Sequence, residues 1–302
     1  MVGESTNQEV DLPVLAKHGV RLFIKREDRI HPLVSGNKYR KLKYNLEAAI
    51  AQGHTTLLTF GGAYSNHIIA TACAGAAAGL KTIGVIRGAE LAHTQELNPT
   101  LTLAEAQGMR FYFVDRQTYR EKDQAEFHKL LEQRFGTCYL LPEGGSNSLA
   151  VQGCSEILGA ADTDFDCIAT AVGTGGTLAG LSNAARAGQR VLGFSALKGG
   201  FLSDSIRKFA SKSNWELIEG YHFGGYAKVT EELVQFINTF KATTGIPLDP
   251  VYTGKLVFGL IDSIEKGLFS SGSRILAIHT GGLQGIAGMN SVLKQKNLPL
   301  LE

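Results

Sequence analysis

Cysteine is scarce and scattered in this chain. Its 302 residues hold four, Cys73, Cys138, Cys154 and Cys167, with no CxxC pair and no histidine at ligand spacing. No metal centre or disulfide framework is expected. The thiols read as small buried hydrophobes of a reducing compartment, so a cytoplasmic location is the expectation. Long apolar runs are also missing. Each is broken by Gly, Thr or a charge well before the ~18 residues that a membrane span needs, so no membrane partner is expected. The first stretch, MVGESTNQEVDLPVL, lacks the basic-then-apolar pattern of a signal peptide. Nor is there an excess of one charge: 30 Lys+Arg against 28 Asp+Glu leave a net +2. No basic stripe is interleaved with aromatics, and nucleic acid is therefore not an expected partner.

What remains is a well-buried globular composition, 44% hydrophobic and 19% charged, with glycine in excess at 36 residues. Much of that glycine follows apolar, β-rich runs. TTLLTF (Thr55 to Phe60) stops at Gly61-Gly62 and gives way to an Ala-rich helical stretch from Asn66 to Ala78. KTIGVIRG and MRFYFVD read as further strands, with a helix over 98–107 between them. FDCIATAVGTGGTLAGLSNAAR repeats strand, glycine turn and helix, QRVLGFSAL is again a strand, and SRILAIHTGGLQGIAGM closes with the same unit. Strands alternating with helices predict an α/β fold with parallel sheets covered on both faces. Ligands bind such sheets at the carboxyl ends of the strands, where these glycine turns must lie. Two units are expected: a small one over 41–149, and a larger one built from 1–40 and 150–302.

SGNKYRKLKYNL packs Lys38, Arg40, Lys41 and Lys43 into six residues. On a helix, Leu42, Leu46, Ala49 and Ile50 form an apolar stripe with Arg40, Lys43 and Glu47 opposite. Lys38 falls at the edge of that stripe. There, desolvation and neighbouring cations would lower its pKa and keep it nucleophilic for Schiff-base chemistry. The alternative is a lysine that snorkels to solvent, and the segment alone favours it. In AVGTGGTLAGL, Gly173, Gly175 and Gly176 present backbone N–H groups, Thr174 and Thr177 add hydroxyls, and a helix follows: physically, a phosphate cradle. No Gly-Lys-Ser/Thr makes it a nucleotide loop. Leu178 stands where a dinucleotide fingerprint wants glycine, and no acid ends the next strand, which leaves a nicotinamide oxidoreductase a weak reading. A small phosphorylated ligand fits better.

GGAYSNHIIA places Ser65, Asn66 and His67 at a helix start after a strand. That is either a plain N-cap or a carboxylate site, with His67 a structural residue or a general base. Tyr252 in DPVYTGK offers a flat face and a hydroxyl, Thr280 in HTGG a neutral hydroxyl, and Tyr226 in HFGGYAK a further aromatic.

Together, KRED…SGNKYRKLKYNL, GGAYSNH, VGTGGTLAGL, DPVYTGK and HTGG, in this order from about Leu12 to Met289, resemble the D-cysteine desulfhydrase and 1-aminocyclopropane-1-carboxylate (ACC) deaminase family. The resemblance implies a pyridoxal-5′-phosphate (PLP) enzyme of fold type II, the tryptophan-synthase-β-like architecture of two three-layer, parallel-sheet domains. It implies a small amino-acid substrate and a homodimer. Lys38 matches the lysine that carries the cofactor as a Schiff base, and Asn66 the residue bonded to the cofactor's 3′-oxygen. Ser65 matches a residue near the reacting atoms; Ser65, Asn66 and His67 would hold the substrate carboxylate. Gly173, Thr174, Gly175, Gly176 and Thr177 match the phosphate loop. Tyr252 matches the tyrosine at the cofactor ring, Thr280 the position facing the pyridine nitrogen, and Tyr226 a second active-site tyrosine. The implied activity is β-elimination from D-cysteine to pyruvate, sulfide and ammonia, with ACC deamination to 2-oxobutyrate and a non-catalytic PLP-binding protein as alternatives. Two residues depart from the pattern. Thr253 stands where ACC deaminases carry Glu, as in the desulfhydrase branch, and Tyr64 where the family usually has Gln. The chain is also short for the family.

Overall fold

The computed structural model describes residues 3–94, 96–200 and 202–302. Its strands, in chain order, are β1 (Asn7–Val10), β2 (Arg21–Lys25), β3 (Thr56–Gly62), β4 (Lys81–Arg87), β5 (Met109–Val114), β6 (Tyr139–Leu141), β7 (Cys167–Val172), β8 (Arg190–Ser195), β9 (Trp215–Ile218) and β10 (Arg274–Ile278). They form a six-stranded sheet, β1-β2-β10-β7-β8-β9, and a four-stranded sheet, β5-β4-β3-β6. All neighbours run parallel except the edge pair β1 and β2.

The burial pattern explains the pairing. All six residues of β7 are buried, as befits a central parallel strand covered on both faces. Alternation then divides its side chains. Cys167, Ala169 and Ala171 join the core under the helices Glu231–Thr244 and Thr253–Glu265, whereas Ile168 and Val172 join the one under the helix Gly176–Ala184. In the smaller sheet, Leu57 packs with Leu42 and Ala49 of the helix Asn37–Ala51, and Leu58 and Phe60 pack with Phe127 and Leu131 of the helix Ala125–Phe135. No helix of the described residues is long and apolar enough to cross a membrane.

The helix Asn37–Ala51 departs from its expected stripe. Leu42 and Ala49 are buried, but Ile50 is 55% exposed and the buried face includes Lys41 and Asn45. That face meets polar partners: Asn45 bonds the side chain of Asn147, and Lys41 reaches the carbonyl of Gly144. The polar residues point inward because the helix lines a site.

Candidate active site

Lys25, Arg26, Glu27 and Asp28 leave β2 as a string of buried charges. Lys25 pairs with Asp162 at 2.9 Å and Arg26 with Asp28 at 2.7 Å. Glu27, fully buried, accepts two bonds of 2.9 Å from the Arg40 guanidinium. A buried bidentate pair adds little net stability but fixes geometry, and this one ties the first turn of the helix Asn37–Ala51 to the end of β2. Gly36, at φ 60°, caps that helix, and a Cβ there would run into the Thr280 carbonyl. Only glycine lets the helix start lie so close to the end of β10.

Lys38 leaves this first turn and enters a cavity of ≈ 740 Å³ that collects the carboxyl ends of strands from both sheets: Gly62 of β3, Arg87 of β4, Val172 of β7 and Thr280 just past β10. Its Nζ donates to the Gly144 carbonyl at 3.1 Å. Burial, and then the nearby Lys41 ammonium, hold its pKa well below the usual lysine range. The residue is therefore a half-buried amine whose Nζ has a protein acceptor inside the cavity, not a lysine extended into bulk solvent.

The loop from Gly173 to Thr177 turns at the end of β7 and starts the helix Gly176–Ala184. A Cβ on Gly173 would sit 3.1 Å from the ring of Tyr252, so glycine is needed for the loop and ring to meet. Thr174 Oγ1 lies 2.5 Å from Ser146 Oγ and 3.3 Å from Lys41 Nζ. Thr177 Oγ1 accepts from Asn37 Nδ2 at 2.9 Å. A helix N-terminus, two hydroxyls and an ammonium thus converge, which is a dianion site in its charge and its donors.

Ser65 caps the helix Asn66–Ala77, its Oγ accepting from the His67 N–H at 3.2 Å. Asn66 Oδ1 accepts from Gln284 at 3.2 Å. The His67 ring turns inward from this helix start, 1% exposed, with Nε2 2.8 Å from Thr59 Oγ1 and Nδ1 without a partner among the described residues. Burial and the two lysine ammoniums push its pKa well below the ordinary imidazole value. That suits a neutral ring and not a base at neutral pH. Tyr252 and Tyr226 meet edge to face with centroids 6.4 Å apart. Thr280, 8% exposed, borders the same cavity. All the expected site residues (Lys38, Ser65, Asn66, His67, Gly173, Thr174, Gly175, Thr177, Tyr226, Tyr252 and Thr280) line this cavity except Gly176, which lies just behind with its Cα facing Ser146.

Lys41 and Ser146 are the residues that sequence reasoning passed over. Lys41 had a signal: it stands three residues after Lys38, on the same helical face. Ser146 had none, because it arrives from β6 through a turn whose position depends on the tertiary fold.

The family model described as pyridoxal-phosphate dependent enzyme matches residues 5–281. The chain belongs to that family. It is 34% identical to a putative ACC deaminase of Pyrococcus horikoshii, over 91% of this chain and 88% of the relative. It is 32% identical to the bifunctional D-cysteine desulfhydrase/ACC deaminase, mitochondrial, of Arabidopsis thaliana, over 89% of this chain and 74% of the relative. A crystal structure of an ACC deaminase homologue superimposes with a TM-score of 0.82 at 33% identity, covering 97% of this chain and 93% of that one. The protein is a PLP-dependent enzyme with the fold type II architecture. Its residues fit the cofactor: a dianion cradle with its own ammonium at one end, and a half-buried amine of lowered pKa in the same cavity.

Proposed function

We propose that this enzyme is a lyase that releases ammonia and a 2-oxo acid from a small amino acid by β-elimination, with D-cysteine as the leading substrate. The observation that carries this reading is the neutral wall at Thr280. Of the carboxylates bordering the large cavity among the described residues, Asp123 and Glu143 both lie against Lys122, at 3.4 Å, and Thr280 itself offers only a neutral hydroxyl. A hydroxyl there cannot hold a proton on a ring nitrogen as a carboxylate would, and the weakened electron sink favours loss of a β-substituent over transamination.

When bound, PLP supplies the electron sink conjugated to the substrate's α-carbon. In this reading the loop Gly173–Thr177 and Lys41 hold its phosphate, Asn66 its 3′-oxygen, and Tyr252 and Tyr226 its ring. The helix start at Ser65, Asn66 and His67 binds the substrate carboxylate. That grip, with the tyrosine wall, orients the α-C–H bond, and orientation is the protein's main contribution. The Lys38 amine, its pKa held well below the usual lysine range by burial, takes the α-proton at Nζ. The enzyme is proposed to work as a homodimer.

ACC deamination is the second reading, favoured by the names of the relatives. Thr253 argues for elimination: where ACC deaminases carry Glu, its hydroxyl is bonded to Asp249 Oδ1 at 2.7 Å, and it borders neither this cavity nor its neighbour. The test is a panel of D- and L-amino acids plus ACC, assayed for keto acid and sulfide with purified holoenzyme. Pyruvate and sulfide from D-cysteine are expected. Oxobutyrate from ACC alone would replace the first reading with the second, and no keto acid from any substrate would sink both.

A further inference from the structure

Beside the large cavity lies a smaller chamber of ≈ 170 Å³, and the two share Gly62, Asn66, Arg87, Tyr226, Tyr252 and Gly282 as walls. At about 30 Å³ per water-sized group, the chamber holds about six such groups. Met289, Val292 and Val251 make it largely apolar. Tyr64 closes one side, its ring 3.0 Å from where Gly288 would carry a Cβ. Because Tyr64 directly precedes Ser65, the chamber opens next to the helix start assigned to the substrate carboxylate. It is in reach of a substrate's side chain.

The two charged groups of this chamber differ in how far their hydrogen-bonding capacity is met. Asp249 is spent: Oδ1 accepts from the N–H and hydroxyl of Thr253, and Oδ2 from the N–H groups of Val251 and Tyr252. Arg87 is not. It ends β4, in register with Gly62 of β3, and its Nη2 lies 3.6 Å from where Gly62 would carry a Cβ. The guanidinium thus reaches over a bare glycine to the neck between the two spaces. It lies over the Tyr119 ring, 5.7 Å from Cζ to centroid, and within electrostatic reach of Tyr226, and it forms no ion pair with a carboxylate of the described residues. Among the residues shared by both spaces it is the only cation, and arginine stays charged at any working pH. D-Cysteine and ACC carry nothing that this group would pair with beyond a carboxylate already provided for.

Resting on the lyase reading above, we propose that the chamber receives a β-substituent ending in an anion, carboxylate or phosphate, and that Arg87 at its neck selects for that charge. In the reaction the α-proton passes to Lys38, and the Cβ–X bond breaks with its electron pair leaving on the anionic substituent X. Water then converts the resulting enamine to pyruvate and ammonia.

The test compares matched pairs, in both D and L forms, on the holoenzyme: S-carboxymethylcysteine against its neutral amide S-carbamoylmethylcysteine, and O-phosphoserine against O-acetylserine. The first pair reads a carboxylate, the second a phosphate. The expected result is a kcat/KM preference for at least one anionic member. Arg87→Met should reduce that preference about 10- to 100-fold, the usual worth of a hydrogen bond to a charged group, and Arg87→Lys should restore part of it. Calorimetry with succinate, which cannot react, gives a readout free of turnover: binding to the wild type and loss of it in Arg87→Met. No preference in the wild type, or an equal preference in Arg87→Met, overturns the proposal while leaving the lyase reading intact. If no amino acid yields keto acid, the lyase reading falls, and succinate decides on Arg87 alone: equal binding to both proteins rejects the anion seat, and selective loss upholds it.

Discussion

Thr59 Oγ1 donates to the Leu141 carbonyl at 3.0 Å, so the 2.8 Å contact to His67 Nε2 must run the other way, from ring N–H to hydroxyl. One hydroxyl on β3 therefore fixes the tautomer of His67 and leaves its Nδ1 as a bare acceptor. The pH consequence follows from the lowered pKa of His67. Below the ordinary imidazole value, ~6.5, the unfolded chain takes up a proton that the folded chain resists, so this group makes stability fall as pH falls through that range. Above it the term vanishes. Nitrogen-resolved NMR should show the Nε2–H tautomer throughout the folded range, and a ring that titrates near its ordinary value in the folded protein would refute the assignment. Thr59→Val strands a buried donor and should cost about 1–3 kcal/mol in denaturant unfolding.

Lys38 and Lys41 both donate to the carbonyl of Gly144, each at 3.1 Å. Removing one leaves the carbonyl satisfied by the other. Lys38→Ala should consequently fold, bind PLP only reversibly, and yield no cofactor-labelled peptide after borohydride treatment. Lys41→Met should do something different. It removes a charge that depresses the Lys38 pKa, so the pH at which PLP begins to bind covalently should move upward, followed by absorbance. It also removes an ammonium from the phosphate cradle, so the affinity for PLP should drop by about 10- to 100-fold. A covalent-binding profile that stays in place or moves to lower pH counts against this coupling.

Gly36→Ala tests how the helix start is set. The glycine sits at φ 60° and abuts the Thr280 carbonyl, so an added methyl meets both backbone strain and a clash. The cost should be about 1–3 kcal/mol of stability. Because Lys38 is two residues on, covalent PLP binding should weaken along with it. A variant of wild-type stability and colour would show that the Gly36–Thr280 contact does not set the site.

The glycine turns were legible in the sequence because each follows an apolar run, and they mark the strand ends that meet at the cavity. The central strands β3, β4, β7, β8 and β10 were legible for the same reason. β1 and β9 were not: each is only four residues long and half-exposed at a sheet edge, so no run announces them. Nor could sequence show that β2 pairs with β10, some 250 residues away, since no local pattern carries a partner's identity. Site residues divide in the same way. Lys38 and the 173–177 loop stood in continuous motifs, whereas Ser146 and Arg87 reach the cavity wall through long-range placement. His67 shows the limit most clearly. Its motif left a base and a structural ring open, and the tautomer is set by Thr59, a residue on another element that the motif does not contain.

Lys255 is a buried cation in the first turn of the helix Thr253–Glu265, where the helix dipole opposes positive charge. Two carbonyls account for it: Nζ donates to His222 and to Gly225, each at 2.9 Å. The segment so held is strained, with Phe223 at φ 51° and Ala227 at φ 54°, and Tyr226 lies between them. Lys255 therefore clamps the turn that presents Tyr226 to Tyr252. Burial pushes its pKa down to about 8. Between that value and the ordinary ~10.4, the unfolded chain keeps a proton that the folded chain has lost, so this group's term in stability rises with pH. The neutral amine still has two N–H groups for two carbonyls, so the clamp survives deprotonation. Lys255→Met should remove the alkaline rise, cost about 1–3 kcal/mol, and speed amide exchange over residues 222–227 while the rest of the sheet stays protected. Substrate KM should rise more than kcat falls, because Tyr226 is misplaced while Lys38 is untouched. Exchange in 222–227 at the wild-type rate would show that Lys255 merely fills space.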